Sequence, residues 1–423
     1  MGTTNATHRV NELIVALPHL GLILDRLGTL GLHPAGEPQR SPALGLALLH
    51  LTGPARDGGS AADGSGSPTD ALLADLRAYF RREYDGWTPL LGKNREVETV
   101  GGAHVISGGG RRLPAPATEA DVLAGGWEGR VFAPDAHVLP EVEGAPGSHR
   151  SVRNGLPRPA GERGTGATVA VCDTRLWDHG PLAGAYLAPP GALLPAPGPG
   201  GLPFTAGHAT FVTGIVLRNA PGAAVTIHPT LDDAARSTSW RLANDLVALA
   251  RRGADVVNVS AGFFTGDDQP ALAMTAALRL IGPRTVVVAA AGNHGEPGPR
   301  CRRPLWPAAY DEVVAVGALT PQGTPASFSP DAPWVNVLAP GVNVVSNYFD
   351  GAVTVVDPAT PGSTGRYDGA ASWSGTSFAA AWVSGLLAAR IRRGEVDPPA
   401  ALRQLLQDAR AGTTSALIPK WSA

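Results

Sequence analysis

Apolar positions in the first hundred residues recur with two different periods. Glu12 to Leu17 and Ala43 to Leu51 read as strands, a helix starts near Pro18, and a final strand is expected near Ala103 to Ser107. Between them Leu72, Leu73, Leu76, Tyr79 and Phe80 fall at helical spacing behind the start signal Ser67-Pro68-Thr69-Asp70. The order strand, helix, strand, helix, strand predicts a small α+β unit over residues 1–108. From Gly108 to about Arg163 the pattern dissolves into Pro, Gly and Ala with scattered charge, including the runs that start at Leu113 and Leu156, so 109–163 reads as a connecting arm.

Beyond it, short β-branched runs alternate with helical segments: Ala167 to Cys172, Ala223 to His228, Asp255 to Val259, Thr285 to Ala291 and Val313 to Ala318. Such alternation predicts an α/β domain over 164–396, a parallel sheet with helices on both faces, followed by a C-terminal helix and tail over 397–423. Near-continuous runs such as Val286 to Ala290 mark strands buried on both sides. In sheets of this kind ligands bind outside the carboxyl ends of the strands. The residues just after each run are therefore the candidates for chemistry.

At those ends stand Asp173, the trio Ser260-Ala261-Gly262, and Gly292-Asn293. Two further candidates open helices instead. His208 begins the segment that runs to Arg218, and Ser377 begins a segment to Arg393 that is apolar on nearly every face. A serine at a helix N-terminus has unpaired backbone N–H groups and the positive end of the dipole beside it, which suits a site where an oxyanion forms.

Composition narrows the function classes. The 34 basic and 36 acidic residues of the 423-residue chain nearly cancel and form no recurrent basic block, which argues against nucleic acid as a partner. The two cysteines, Cys172 in an apolar run and Cys301 in a Pro/Arg-rich loop, offer neither a disulfide framework nor metal-ligand spacing. Nucleotide and zinc-peptidase fingerprints are missing, since Gly164-Thr165-Gly166 precedes a strand rather than linking one to a helix. No cofactor is expected, and the metal content stays open, because no acidic loop identifies a calcium site. No run of about 18 apolar residues predicts a membrane span. Leu13 to Leu24 is the one place for a secretory signal, but Glu12, Pro18 and His19 interrupt its flank and run, so a cytoplasmic location is expected over a secreted one.

Taken in order, Asp173-Thr174 after an apolar strand, Gly207-His208-Ala209-Thr210-Phe211-Val212-Thr213-Gly214, Ala290-Ala291-Gly292-Asn293 and Ser374-Gly375-Thr376-Ser377-Phe378-Ala379-Ala380 resemble the successive signature motifs of the subtilisin-like (subtilase) serine peptidases. Minor landmarks agree, among them Trp306-Pro307-Ala308 and Ser327-Phe328-Ser329. The resemblance implies a serine endopeptidase in which Ser377 is the nucleophile, His208 its general base and Asp173 the group that orients the imidazole. It implies that Asn293 and the Ser377 N–H bind the oxyanion of the acyl-transfer step. It also makes Ser260, Ala261 and Gly262 the edge for an extended peptide or protein substrate, with Ala290, Ala291 and Gly292 as the other wall of the primary pocket. Small, uncharged walls predict an apolar preference before the cut. The N-terminal unit resembles the prodomains of this family and is expected to dock on its own catalytic domain, with the arm passing across the rim.

Four positions depart from the family pattern. Arg175 stands where a glycine is usual, Ala209 and Phe211 replace a glycine and a second histidine, and Ala381 replaces a proline. Arg175 is the one that bears on chemistry, as a cation able to compete for the Asp173 carboxylate. A module that binds extended peptides without cutting them is the alternative class, and it needs none of Asp173, His208, Asn293 and Ser377.

Overall fold

A computed structural model describes residues 8–52, 68–100, 113–118, 121, 156, 158–298, 301–351, 353–357, 364–412 and 417–420. The chain forms two compact units. The smaller comprises residues 1–97, 237–248 and 263–281, and the larger comprises 98–236, 249–262 and 282–423.

In the smaller unit the strand His8–Ala16 lies between two antiparallel partners, Leu46–Thr52 and Leu91–Thr99. The helices Leu20–Thr29 and Pro68–Glu83 supply Ile23, Leu27, Leu73, Leu76 and Phe80 to a core shared with Leu13, Val15, Ala47 and Leu49. Fully burying a side chain of this size stabilises by about 1.5–3 kcal/mol. The strand expected near Ala103 to Ser107 lies outside the described residues. The observed third strand is Leu91–Thr99, a run whose polar positions hide it from any apolar-alternation reading. Lys93 and Asn94 are buried in it, the first paired with Asp70 and the second hydrogen-bonded to Glu12 Oε2 at 2.6 Å. From the later chain the unit takes Ser239 to Ala248 of one helix and the helix Leu272–Leu280. Asn94 caps the first of these, its Oδ1 accepting from Trp240 N (3.0 Å) and Ser239 Oγ (3.2 Å).

The larger unit is built on a sheet of eight strands. Its parallel strands stand in the order Val337–Pro340, Val313–Leu319, Val286–Ala290, Val256–Val259, Thr168–Asp173, Ala224–Pro229 and Tyr186–Leu187, and Ile418–Pro419 adds an antiparallel edge. All five strands read from the α/β pattern are present. Helices flank the sheet. His208–Asn219 and Thr376–Ala388 pack on each other and on the strands, and every residue of Thr376–Ala388 is buried, as a helix apolar on all faces requires. After Thr168–Asp173 the chain adds Tyr186–Leu187 and then the direct neighbour Ala224–Pro229 on one side before it adds Val256–Val259 on the other. That reversal is the crevice where sheets of this type bind ligands.

The arm is described only at 113–118, 121, 156 and from 158 onward. There Ala115–Pro116 pairs with Ala371–Ser372, and Leu156 N donates to Asn347 Oδ1 at 2.6 Å.

Candidate active site

Asp173 closes its strand at the centre of the sheet with its carboxylate fully buried. A buried carboxylate needs partners, and it has them: Oδ1 accepts from Thr174 N at 2.7 Å, and both oxygens lie 2.8 Å from His208 Nδ1. This contact fixes the tautomer, because Nδ1 must carry a proton to donate, which leaves Nε2 as the free base. His208 begins its helix after the short turn Phe204–Gly207, and Ala209 N donates to Thr174 Oγ1 at 3.2 Å, tying the helix start to the strand end. Gly207 is required by close approach, since a Cβ there would sit 2.2 Å from the Tyr348 ring. The imidazole is held edge-on by Trp373, with centroids 5.5 Å apart, and is flanked by Phe378 at 5.6 Å.

Ser377 lies in the first turn of its helix, where backbone N–H groups have no partner four residues back. Its Oγ donates to Ser260 O at 3.4 Å. Beneath it runs a buried polar ladder. Ser384 Oγ donates to Asn258 Oδ1 (3.0 Å), Asn258 Nδ2 to Ser260 Oγ (3.0 Å), and Ser260 Oγ to Ser377 O (3.3 Å). Asn293 follows Gly292, whose φ of +105° makes the turn out of the strand. Asn293 Oδ1 accepts from Thr376 N at 3.0 Å and Thr376 Oγ1 at 3.2 Å, so its amide nitrogen is turned outward.

What that nitrogen meets is the chain itself. Asn293 Nδ2 donates to Val100 O, Val100 N donates to Ser260 O at 3.0 Å, and Thr99 and Glu98 pair antiparallel with Ala261 and Gly262. On the other side Thr99 N donates to Ala235 O at 3.0 Å. Thr99 Oγ1 donates to Ser260 O at 3.1 Å and lies 3.4 Å from His208 Nε2. Glu98 to Val100 is thus an extended segment between two edges, its last carbonyl on the Asn293 amide. Sequence reading brought the later arm across this rim. The observed segment comes before the arm, and neither Val100 nor Ala235 carries a motif that would have marked it.

Asp173 is joined to His208, Ser377 to Ser260, and Asn293 to the Thr376 that precedes Ser377. Ala290 ends a strand and Ala291 N donates to Val316 O at 2.9 Å, behind Gly292. Arg175 is committed elsewhere: its guanidinium makes a two-pronged pair with Asp233, with Nε to Oδ1 at 2.8 Å, and that pairing raises its pKa. Phe211 fills the position of the usual second histidine with an aromatic ring packed on Phe378 at 4.5 Å and on Trp373 at 5.7 Å. His179 donates from Nε2 to Gly369 O at 2.9 Å, and burial pushes its pKa down. His294, next to Asn293, is lowered to about 4, chiefly by burial and further by the nearby Arg303 charge. Among the described residues no group of three or more His, Cys, Asp or Glu could hold a metal ion, and no helix is long and apolar enough to cross a membrane.

A family model described as the subtilase family matches residues 164–417. Mycosin-1 of Mycolicibacterium smegmatis is 37% identical over 171 residues, which cover 35% of this chain and 36% of that protein. A thermophilic serine proteinase of a Bacillus species, strain AK1, is 32% identical over 197 residues, 44% of this chain and 43% of that one. The chain therefore spans less than half the length of these two relatives. Among solved structures, fervidolysin from Fervidobacterium pennivorans, a keratinolytic enzyme related to subtilisin, aligns with a TM-score of 0.58 at 17% identity. That alignment covers 97% of this chain and 58% of the other, and it is a likeness of fold alone.

Proposed function

Because the chain belongs to the subtilase family, we propose that it is a serine endopeptidase whose catalytic groups are Asp173, His208, Ser377 and Asn293. Ser377 Oγ attacks the carbonyl carbon of the bond to be cut while its proton passes to His208 Nε2. The Asp173 carboxylate, on Nδ1–H, stabilises the imidazolium that results. The oxyanion of the tetrahedral intermediate is held by Asn293 Nδ2 and the Ser377 N–H. On collapse the C–N bond breaks, the amine takes the proton from His208, and an ester to Ser377 remains for water to hydrolyse by the same route.

The observation that carries this reading is the Val100 carbonyl on Asn293 Nδ2 with the Val100 N–H on Ser260 O. An extended backbone laid on that edge with its carbonyl at the amide is in the position a substrate needs. Exposure of the purified chain, cut after Val100, to a fluorophosphonate should label Ser377, and Ser377→Ala should abolish both labelling and peptide hydrolysis. Labelling that survives Ser377→Ala would assign the nucleophile elsewhere.

Residues 1–108 have the role of a prodomain in this reading, aiding folding through the cap that Asn94 gives to the helix at Ser239 and blocking the site through Val100, which is part of the larger unit. The non-cutting alternative has less support, because peptide pairing along Ala261–Gly262 makes no use of the Asp173–His208 contact.

A further inference from the structure

Ala235 forms the outer edge against which Glu98 to Val100 lies, its carbonyl accepting from Thr99 N at 3.0 Å. Its backbone has a φ of +60°, in the left-handed region that an alanine adopts only where its surroundings hold it there. The turn around it is tight: Ala235 N donates to Asp232 O at 2.8 Å, Arg236 N to Asp232 Oδ1 at 2.8 Å, and Asp232 N to Arg236 O at 2.9 Å. These bonds fix the shape of the turn but not where it stands. Three further contacts do that. Leu231 N donates to Asp173 O at 3.0 Å, Thr205 Oγ1 from the turn before His208 donates to Asp233 O at 2.9 Å, and Arg175 holds the Asp233 carboxylate through Nε and a terminal nitrogen. Of the three, the Arg175 contact has two parallel bonds, which set direction as well as distance. Its partners are 30% and 37% exposed, and a pair so open to water adds little to stability. What it fixes is geometry. Arg175 stands two residues after Asp173, so the strand end that orients the general base also carries the group that places the outer edge.

Resting on the peptidase reading above, we propose that Arg175 is a positioning residue for substrate binding: through Asp233 it holds the Ala235 carbonyl where that oxygen accepts the N–H of the second residue before the cut. The side chain that stands where the family has a glycine thus serves the groove instead of competing for the Asp173 carboxylate. A lysine, a point charge on a flexible stem, lacks the planar fork and would hold the turn less well.

One test uses the chain cut after Val100, diluted until the groove is free, and two peptides that differ at a single group. In the second peptide an ester oxygen replaces the N–H of the second residue before the cut, and the bond to be cut stays an amide. The parent should lose about 3- to 10-fold in kcat/KM on the ester peptide, the size of one net hydrogen bond. Arg175→Ala should raise KM for the all-amide peptide by a similar factor with kcat nearly unchanged, and should be nearly indifferent to the ester, because the acceptor is already misplaced. Asp233→Ala should behave in the same way, and Arg175→Lys should recover part of the difference. A second measurement needs no turnover. In the uncut Ser377→Ala chain, Arg175→Ala should speed hydrogen exchange at the Thr99 N–H by about 3- to 10-fold, leave the Val100 N–H as it was, and barely move the urea midpoint. An ester penalty as large in Arg175→Ala as in the parent overturns the proposal. So does exchange at Thr99 that stays unchanged, or that quickens no more than at Val100. Failure of the fluorophosphonate to label Ser377 would instead remove the peptidase reading, and the exchange measurement would then decide whether Arg175 places Ala235.

Discussion

At the scale of the residue, Asn293 shows how one side chain is oriented by its neighbours for a single task. Thr376 donates to its oxygen from backbone and side chain, so the amide nitrogen faces the Val100 carbonyl, where the proposed mechanism puts the developing charge. Asn293→Ala should therefore lower kcat by about 10²–10³ with little change in KM, the size of removing one preorganised oxyanion donor. Steady-state kinetics on a peptide substrate checks this; an effect confined to KM would show that Asn293 serves ground-state binding instead. His294 gives a prediction in pH. Its pKa is lowered from 6.5 to about 4 in the folded chain, so below about 6.5 the unfolded chain takes up a proton that the folded chain refuses. Stability should be unaffected by this group above pH 6.5 and fall by roughly 3 kcal/mol as pH drops toward 4. Urea unfolding at pH 7 and pH 5 should show a smaller drop in His294→Gln than in the parent.

At the scale of the element, the cap on the helix that starts at Ser239 comes from a strand more than a hundred residues earlier. Asn94→Ala removes two hydrogen bonds to that helix start and leaves the Trp240 N–H buried without its acceptor. The cost should be about 2 kcal/mol, from the lost cap and the desolvated donor together, read as a lower urea midpoint in the Ser377→Ala chain. The same strand marks the limit of what the sequence reveals. Runs such as Val256 to Val259 are legible because burial on both faces selects β-branched residues, here at every position but Asn258. Leu91–Thr99 is not, because Lys93 and Asn94 are buried for their hydrogen bonds rather than their apolarity. The positions of Asp173, His208, Asn293 and Ser377 were readable from strand ends and helix starts. Val100 was not, since no motif surrounds it and its place follows from the pairing of Glu98 and Thr99 with Gly262 and Ala261.

At the scale of the whole molecule, the smaller compact unit is assembled from separated stretches of chain: residues 1–97 supply the sheet and two helices, and 237–248 and 263–281 supply the rest. Contacts such as Arg95 N to Ser239 Oγ at 2.9 Å and Ser41 Oγ to Asn244 Oδ1 at 2.6 Å join residues that no local window of sequence holds together. A chain that starts near Gly164 would have to bury those later segments without their partners, and its parallel sheet already carries the slow loop closures of non-local pairing. Expressed alone, it should fold in low yield, and residues 1–108 added separately should raise the yield and then inhibit hydrolysis. Circular dichroism and active-site titration with and without the added fragment check this; a truncated chain that folds at full yield and ignores the fragment would mean that the N-terminal unit has no part in folding or latency.

Val100 reaches the amide of Asn293 as part of the same polypeptide, and this makes its occupancy a matter of effective concentration rather than of how much protein is in solution. A tether within one chain holds that effective concentration constant whatever the dilution. A break in the backbone after Val100 would convert that internal occupancy into an equilibrium between two bodies, governed by mass action. Dilution would leave an uncut chain as it was, and would empty the site of a cut one.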